Sequence, residues 1–271
     1  MTHAAGVPRV GSDPPLRAVV FDAGLTLIRS VTPVAGVAAE VLGRAGLPFD
    51  PATLATAMAR ADAYLEATWH HGDWWASEHT VRELFITAYR IGLVTLPGVG
   101  DASGRADRLA ADIYAAYHDI RHWAAFPDVV PTLEALRGAG VTMGVISDWG
   151  HGLESILLEL ELGEYFTFLV VSSRLGISKP HPEVFRMALD RIHVPPASAV
   201  YIGDTYVKDV LGARAAGLTP VLLDRAGRVG HADCATVRAL TEVLDLVGIR
   251  AAPAAPAADA AATDVASGPS V

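Results

Sequence analysis

Five short apolar runs occur along the chain without the in–out alternation of a half-exposed strand: Leu16–Asp22, Val141–Ser147, Phe168–Val171, Ala199–Gly203 and Thr219–Leu223. Unbroken runs of this length mark parallel strands covered on both faces. Between the later runs, apolar residues recur at helical spacing over Val130–Gly140, Leu153–Leu162, Pro182–Ile192 and Asp209–Ala216. Strand alternating with helix predicts an α/β fold, a doubly wound parallel-sheet, Rossmann-like core joined by right-handed crossovers.

More than a hundred residues separate the first two strands, too many for one crossover. They carry only helical spacing, over Pro33–Ala45, Ala52–Trp69, Thr80–Ile91 and Ala106–Tyr117. The expected organisation is therefore a core domain, residues 16–28 and 124–250, with a helical cap domain, residues 29–123, inserted on hinges near 29–31 and 121–127. Ligands of open α/β sheets bind beyond the carboxyl ends of the strands, so the cap is expected to cover that edge. Residues 1–15 and the Ala/Pro-rich tail 251–271 carry too little apolar surface to offset their ordering entropy and are expected to be disordered.

Composition narrows the partners. Apolar residues make up 51% of the 271, enough for a full core. The formal net charge of −9 matches poorly with nucleic acid or an anionic membrane, both of which need basic patches. No stretch reaches the roughly 20 apolar residues of a membrane span, and the N-terminus does not read as a signal peptide. Cys234 is the single cysteine, which excludes an intrachain disulfide and suits the expected cytoplasmic location. The basic residues are 19 Arg and only two Lys, Lys179 and Lys208.

Chemistry-bearing side chains fall just after the strands. Asp22 ends the first, where a carboxylate can attack a substrate or bind a cation, or only cap a turn. Ser147-Asp148 ends the second, with Gly150 and Gly152 following before a helix. That suits oxyanion binding by backbone N–H groups, and equally a plain N-cap. Lys179 stands in the stiff Lys-Pro-His-Pro loop after the third, a point charge able to neutralise a carboxylate and an anion together. Gly203-Asp204-Thr205-Tyr206-Val207-Lys208-Asp209 follows the fourth. Asp204 and Asp209, joined by Asp22, make a hard-oxygen set suited to magnesium.

Asp after the first strand, Ser after the second, Lys-Pro after the third and Gly-Asp-x4-Asp after the fourth together resemble the haloacid dehalogenase (HAD) superfamily, subfamily IA, over about residues 16–230. Val145-Ile146-Ser147-Asp148-Trp149 and the Gly-Asp-Thr-Tyr run are most similar to the branch of HAD-like hydrolase domain-containing protein 3. The resemblance implies a magnesium-dependent phosphatase of a small phosphorylated metabolite, acting as a monomer or homodimer. Asp22 would form an aspartyl-phosphate. Ser147 would hold the phosphoryl group and Lys179 would screen it. Asp22, the Gly24 carbonyl and Asp204 would bind Mg²⁺, with Asp209 in support directly or through water. Asp148, Trp149 and, from the cap, His70 and Trp74 are the further candidates for substrate contact.

Two positions depart from the family pattern. Gly24 replaces the second aspartate that protonates the leaving group, help usually worth about 10²–10⁴-fold. Asp148 stands where an asparagine is usual, so Asp148 or a cap histidine is a candidate replacement acid. Two other readings remain open. One is a 2-haloacid-dehalogenase-like hydrolase, which needs no such acid but lacks the Asp204/Asp209 pair. The other is a catalytically weak phosphate-binding or regulatory protein. A Schiff-base hydrolase is disfavoured, because residues 29–123 hold no lysine.

Overall fold

The computed structural model describes residues 6–69, 72–100 and 104–250. Strands β1 (Ala18–Phe21), β4 (Thr142–Ser147), β5 (Phe168–Val171), β6 (Ala199–Gly203), β7 (Thr219–Leu223) and β8 (Ala235–Val237) form one parallel sheet of order β5-β4-β1-β6-β7-β8. β1 lies between β4 and β6, with Phe21 beside Val145 and Ile202. It is wholly buried, as an unbroken apolar run with helices on both faces requires.

The period of two assigns β1 to two cores. Val19 and Phe21 pack with α5 (Val129–Gly138), α6 (Leu153–Glu159) and α10 (Thr241–Val247). Ala18 and Val20 pack with α8 (Pro182–Ile192) and α9 (Gly212–Ala215). The four-residue α7 (Ser172–Leu175) follows β5 directly.

Helices α1 (Val34–Arg44), α2 (Pro51–Thr68), α3 (Glu78–Leu93) and α4 (Arg105–Ala116) build a third core of their own, centred on Leu42, Leu54, Met58, Leu84 and Ile113. Local chemistry sets their starts. Asp50 accepts the Thr53 N–H at 2.8 Å ahead of Pro51, and Ser77 and Thr80 close a reciprocal capping box on α3. The chain enters and leaves this insertion through a ribbon of β2 (Ile28–Ser30) and β3 (Trp123–Ala125), paired antiparallel.

The five strands expected from apolar runs are all present. β2, β3 and β8 were not foreseen, nor were α7 and α10. The strands among them are three residues each, too short to show a period. Within the span expected to be disordered, residues 6–15 are placed against α10. Val10 N donates to Val247 O at 3.0 Å and Arg9 Nε to Leu246 O at 3.1 Å, while Val7 packs on the core. The tail 251–271 lies outside the described residues. Among those residues, no helix is long and apolar enough to cross a membrane.

Candidate active site

A parallel sheet delivers the residues that follow its strands to one edge. Asp22 extends β1, its N–H donating to Ile202 O at 2.8 Å. Ser147 closes β4 and donates from Oγ to Asp22 Oδ1 at 3.0 Å. Lys179 arrives from the loop before α8, only 5% exposed. Its Nζ donates to Asp22 Oδ1 at 2.7 Å, to Asp209 Oδ1 at 2.6 Å and to the Tyr201 hydroxyl at 3.1 Å. Three donors thus meet three acceptors.

After β6 the backbone winds into a wide π-type turn over Tyr206–Leu211, a form frequent at functional sites. The turn brings Asp209 back beneath Gly203, where any side chain would collide with the Asp209 carboxyl. Asp209 Oδ2 accepts from Thr205 N at 2.9 Å. Asp22, Asp204 and Asp209 each present a carboxylate oxygen within 4.8 Å of the other two. Burial pushes the Asp22 carboxyl up to about 6, with Asp209 adding to it and Lys179 opposing. Burial, then Asp22 and Asp209, push Asp204 up to about 7. Burial works against the Lys179 ammonium, but Asp209 and Asp22 outweigh it and hold the group charged well above its ordinary range. A carboxylate trio this crowded, with one ammonium for company, fits a hard divalent cation.

Asp148 has both oxygens engaged: Oδ1 accepts from Lys179 N at 3.0 Å and Oδ2 from Lys208 Nζ at 2.9 Å. The acid at 148 is therefore matched by Lys208, and it holds the Lys179 loop in place. With one oxygen on the Lys179 backbone and the other on the Lys208 ammonium, Asp148 is placed as a partner of these two residues, and the geometry favours that role over a replacement acid.

The site floors a cavity of about 510 Å³ between the sheet edge and the insertion. Gly24 and Trp149 line it, and they are in register: a Cβ built on Gly24 would lie 2.9 Å from Trp149 Cζ3. The Trp149 ring meets Trp123 edge-on at 5.0 Å. From the insertion come Trp69, Trp75, Phe85, Tyr89 and Tyr117. Trp74 packs on the insertion's own core and is not among the lining residues; its neighbour Trp75 is. His70 lies outside the described residues. A polar seam closes one side, where Glu78 of α3 accepts from His151 N at 2.8 Å and from the Tyr114 hydroxyl at 2.9 Å.

Three contributors escaped the sequence reading. Tyr201 reads as core within an apolar strand, yet its hydroxyl lies within hydrogen-bond distance of Lys179, Asp209 and the Ile146 carbonyl. Lys208 carried one signal, the rarity of lysine. Arg225 carried none. It grips Asp128 with both terminal nitrogens, at 2.9 and 3.0 Å, and donates to the carbonyls of Leu25 and Thr26. It thereby fixes the turn after Asp22, where Leu25 sits at φ 56°.

A haloacid dehalogenase-like hydrolase family model matches residues 16–217. The chain belongs to the haloacid dehalogenase-like hydrolases. Within that family it is 31% identical over 220 residues to haloacid dehalogenase-like hydrolase domain-containing protein 3 of Danio rerio, covering 81% of this chain and 90% of the relative. It is 36% identical over 122 residues to a glyceraldehyde 3-phosphate phosphatase of Methanopyrus kandleri, covering 44% of this chain and 52% of the relative. The crystal structure of a HAD phosphatase from Thermococcus onnurineus superposes with a TM-score of 0.58 at 25% identity, covering 88% of this chain and all of that one. As a HAD hydrolase, the chain presents its strand-end carboxylates, serine and lysine as one connected group.

Proposed function

We propose that this hydrolase is a magnesium-dependent phosphatase of small phosphorylated metabolites, working through an aspartyl-phosphate on Asp22. The observation that supports it most is the convergence of one carboxylate, one hydroxyl and one ammonium, Asp22, Ser147 and Lys179, beside two further carboxylates. A nucleophile, an anion cradle and a cation set are what phosphoryl transfer needs, since its catalysis is mostly positioning and charge stabilisation.

In this reading Asp22 attacks phosphorus in line with the leaving oxygen. Ser147 Oγ and the N–H groups of the following loop hold the phosphoryl oxygens, and Lys179 offsets the charge between them and Asp22. Asp22, Asp204 and the Gly24 carbonyl would hold Mg²⁺. Asp209, with both oxygens already bonded, supports them through water. The cation supplies positive charge to the transferring group. Water then attacks the acyl-phosphate, releasing phosphate and regenerating the carboxylate. The helical insertion acts as a cap that excludes bulk water.

Phosphate release from a panel of monoesters with Mg²⁺ tests the reading, alongside 2-haloacids without it. Asp22→Asn is expected to lower kcat by on the order of 10⁴-fold or more with the fold intact, as nucleophile removal does elsewhere. Haloacid turnover indifferent to chelator would overturn the phosphatase in favour of a dehalogenase. Ligand binding with no turnover of either class would favour a phosphate-sensing protein.

A further inference from the structure

We propose that the cavity selects aryl phosphates, monoesters whose leaving group departs as an aryloxide without a proton from the protein. This rests on the phosphatase reading above and names its substrate class. Two independent features carry it.

The first is that Lys179, Asp148, Asp209 and His118 are each engaged so that none presents a proton to the leaving group. The three ammonium protons of Lys179 are directed at Asp22, Asp209 and Tyr201. Asp148 and Asp209 accept at both oxygens. His118 is the histidine lining the cavity among the described residues. Its Nδ1 lies 2.8 Å from the Tyr114 carbonyl, which can only accept, so the proton is on Nδ1 and Nε2 carries a lone pair. Burial keeps that ring neutral by holding its pKa low. Gly24 lines the cavity two residues after Asp22 and brings no side chain, and the ring of Trp149 fills the space a side chain there would enter.

The second is the wall that receives the leaving group. Trp149 and Trp123 stand edge to face at 5.0 Å on one side. Trp75 and Phe85 stand edge to face at 6.1 Å on the insertion side, with Trp69 and Tyr117 beside them. A cavity of about 510 Å³ holds a one- or two-ring organic group, and flat aromatic walls favour flat guests. Lys179 and Lys208 stand at the phosphoryl end, and the opposite wall is mostly aromatic with Asp62, Glu66 and Arg29 at its margin, an arrangement that suits a phenol ester of phosphate.

In the step proposed, an Asp22 oxygen forms a bond to phosphorus while the phosphorus–aryloxide bond breaks. The electron pair leaves on the aryl oxygen, which takes its proton later from water. Hydrolysis of the acyl-phosphate follows as above.

The test measures kcat/KM with Mg²⁺ for 4-nitrophenyl, phenyl and 4-methoxyphenyl phosphate against cyclohexyl phosphate, which has nearly the same shape but a poor leaving group. Phenyl phosphate is expected to exceed the cyclohexyl ester by about 10²–10⁴-fold, the usual worth of the acid that is missing. Within the aryl series the value is expected to rise with the acidity of the phenol. The Gly24→Asp/Trp149→Ala double variant, which restores a carboxyl and the room for it, is expected to narrow the gap by raising cyclohexyl turnover. Trp149→Phe keeps the fold packed and is expected to raise KM for phenyl phosphate a few-fold. Comparable cyclohexyl and phenyl values, or an aryl series flat in leaving-group acidity, would overturn the assignment while leaving the phosphatase intact. No turnover of any ester by the folded wild type would overturn the phosphatase reading, and this one with it.

Discussion

On the sheet side of the cavity, Lys179 meets three partners within 3.1 Å and Asp209 accepts at both oxygens. On the insertion side, away from the Glu78 seam, ring contacts such as Trp75 on Phe85 predominate, and the buried Trp75 Nε1 has no acceptor. A network in which every member is bonded has one arrangement and a high cost of change. An aromatic wall held by packing tolerates substitution of similar volume. On the phosphatase reading proposed above, the contrast assigns the reaction to the sheet and the choice of substrate to the insertion.

The largest expected break is in the sheet network. Removing the Tyr201 hydroxyl leaves Lys179 and Asp209 each short of a partner in a wholly buried site. Tyr201→Phe is expected to cost about 1–3 kcal/mol of stability, the penalty for a buried polar group left unpaired. It is also expected to lower kcat more than it raises KM, measured by urea melts and steady-state kinetics.

The Asp148–Lys208 pair comes next, with side chains 6% and 17% exposed. Lys208→Met leaves a buried carboxylate without its cation and is expected to destabilise by about 2–3 kcal/mol. Adding Asp148→Asn is expected to recover at least half of that. A double-mutant cycle with additive losses would show that the two residues act independently.

Protonation separates the walls further. Asp22 and Asp204 are held above their ordinary values, near 6 and 7. Metal-free folding therefore takes up protons: the stability these groups contribute is full below about pH 4 and is lost as pH rises through 6 and 7. Magnesium needs the ionised carboxylates, so its stabilisation runs the opposite way. The Mg²⁺-induced rise in Tm is expected to be near zero at about pH 5 and to plateau by about pH 8. Asp204→Asn is expected to flatten that rise.

The smallest effect belongs to the aromatic wall. Trp75→Phe removes the unpartnered indole N–H together with some volume. The two terms oppose, so stability is expected to change by less than about 1 kcal/mol, with kcat unmoved and KM shifted a few-fold.

This division also explains what the sequence could reveal. Parallel strands carry their terminal residues to one edge whatever the loops do, so the apolar runs put Asp22, Ser147, Asp204 and Asp209 at that edge, Lys179 stood out by its loop and its rarity, and only the ordered set and the family resemblance gave them candidate roles. Tyr201 was not, because its partners lie 8 to 55 residues away and its neighbours in β6 are apolar. The hinge ribbon was not, because its pairing joins Ile28 to Ala125 across the whole insertion. Spacing could not separate Trp74 from Trp75 for a related reason. Two tryptophans adjacent in sequence look alike until the 3₁₀ turn at Trp74–Ala76 lays one, partly buried, against the insertion's core and the other in the cavity wall.

Lys179 and Lys208 are the chain's only lysines, and both line this one cavity. Any lysine-directed modification, whether acetylation, methylation or adduct formation with an aldehyde, therefore has no side-chain target on the remaining surface. Lys208 is the more accessible of the two, its side chain 17% exposed against 3% for Lys179. Acylating it would remove the cation facing Asp148. Apart from the α-amino terminus, amine-directed labelling thus reports on the candidate site, a selectivity that arises from arginine serving everywhere else.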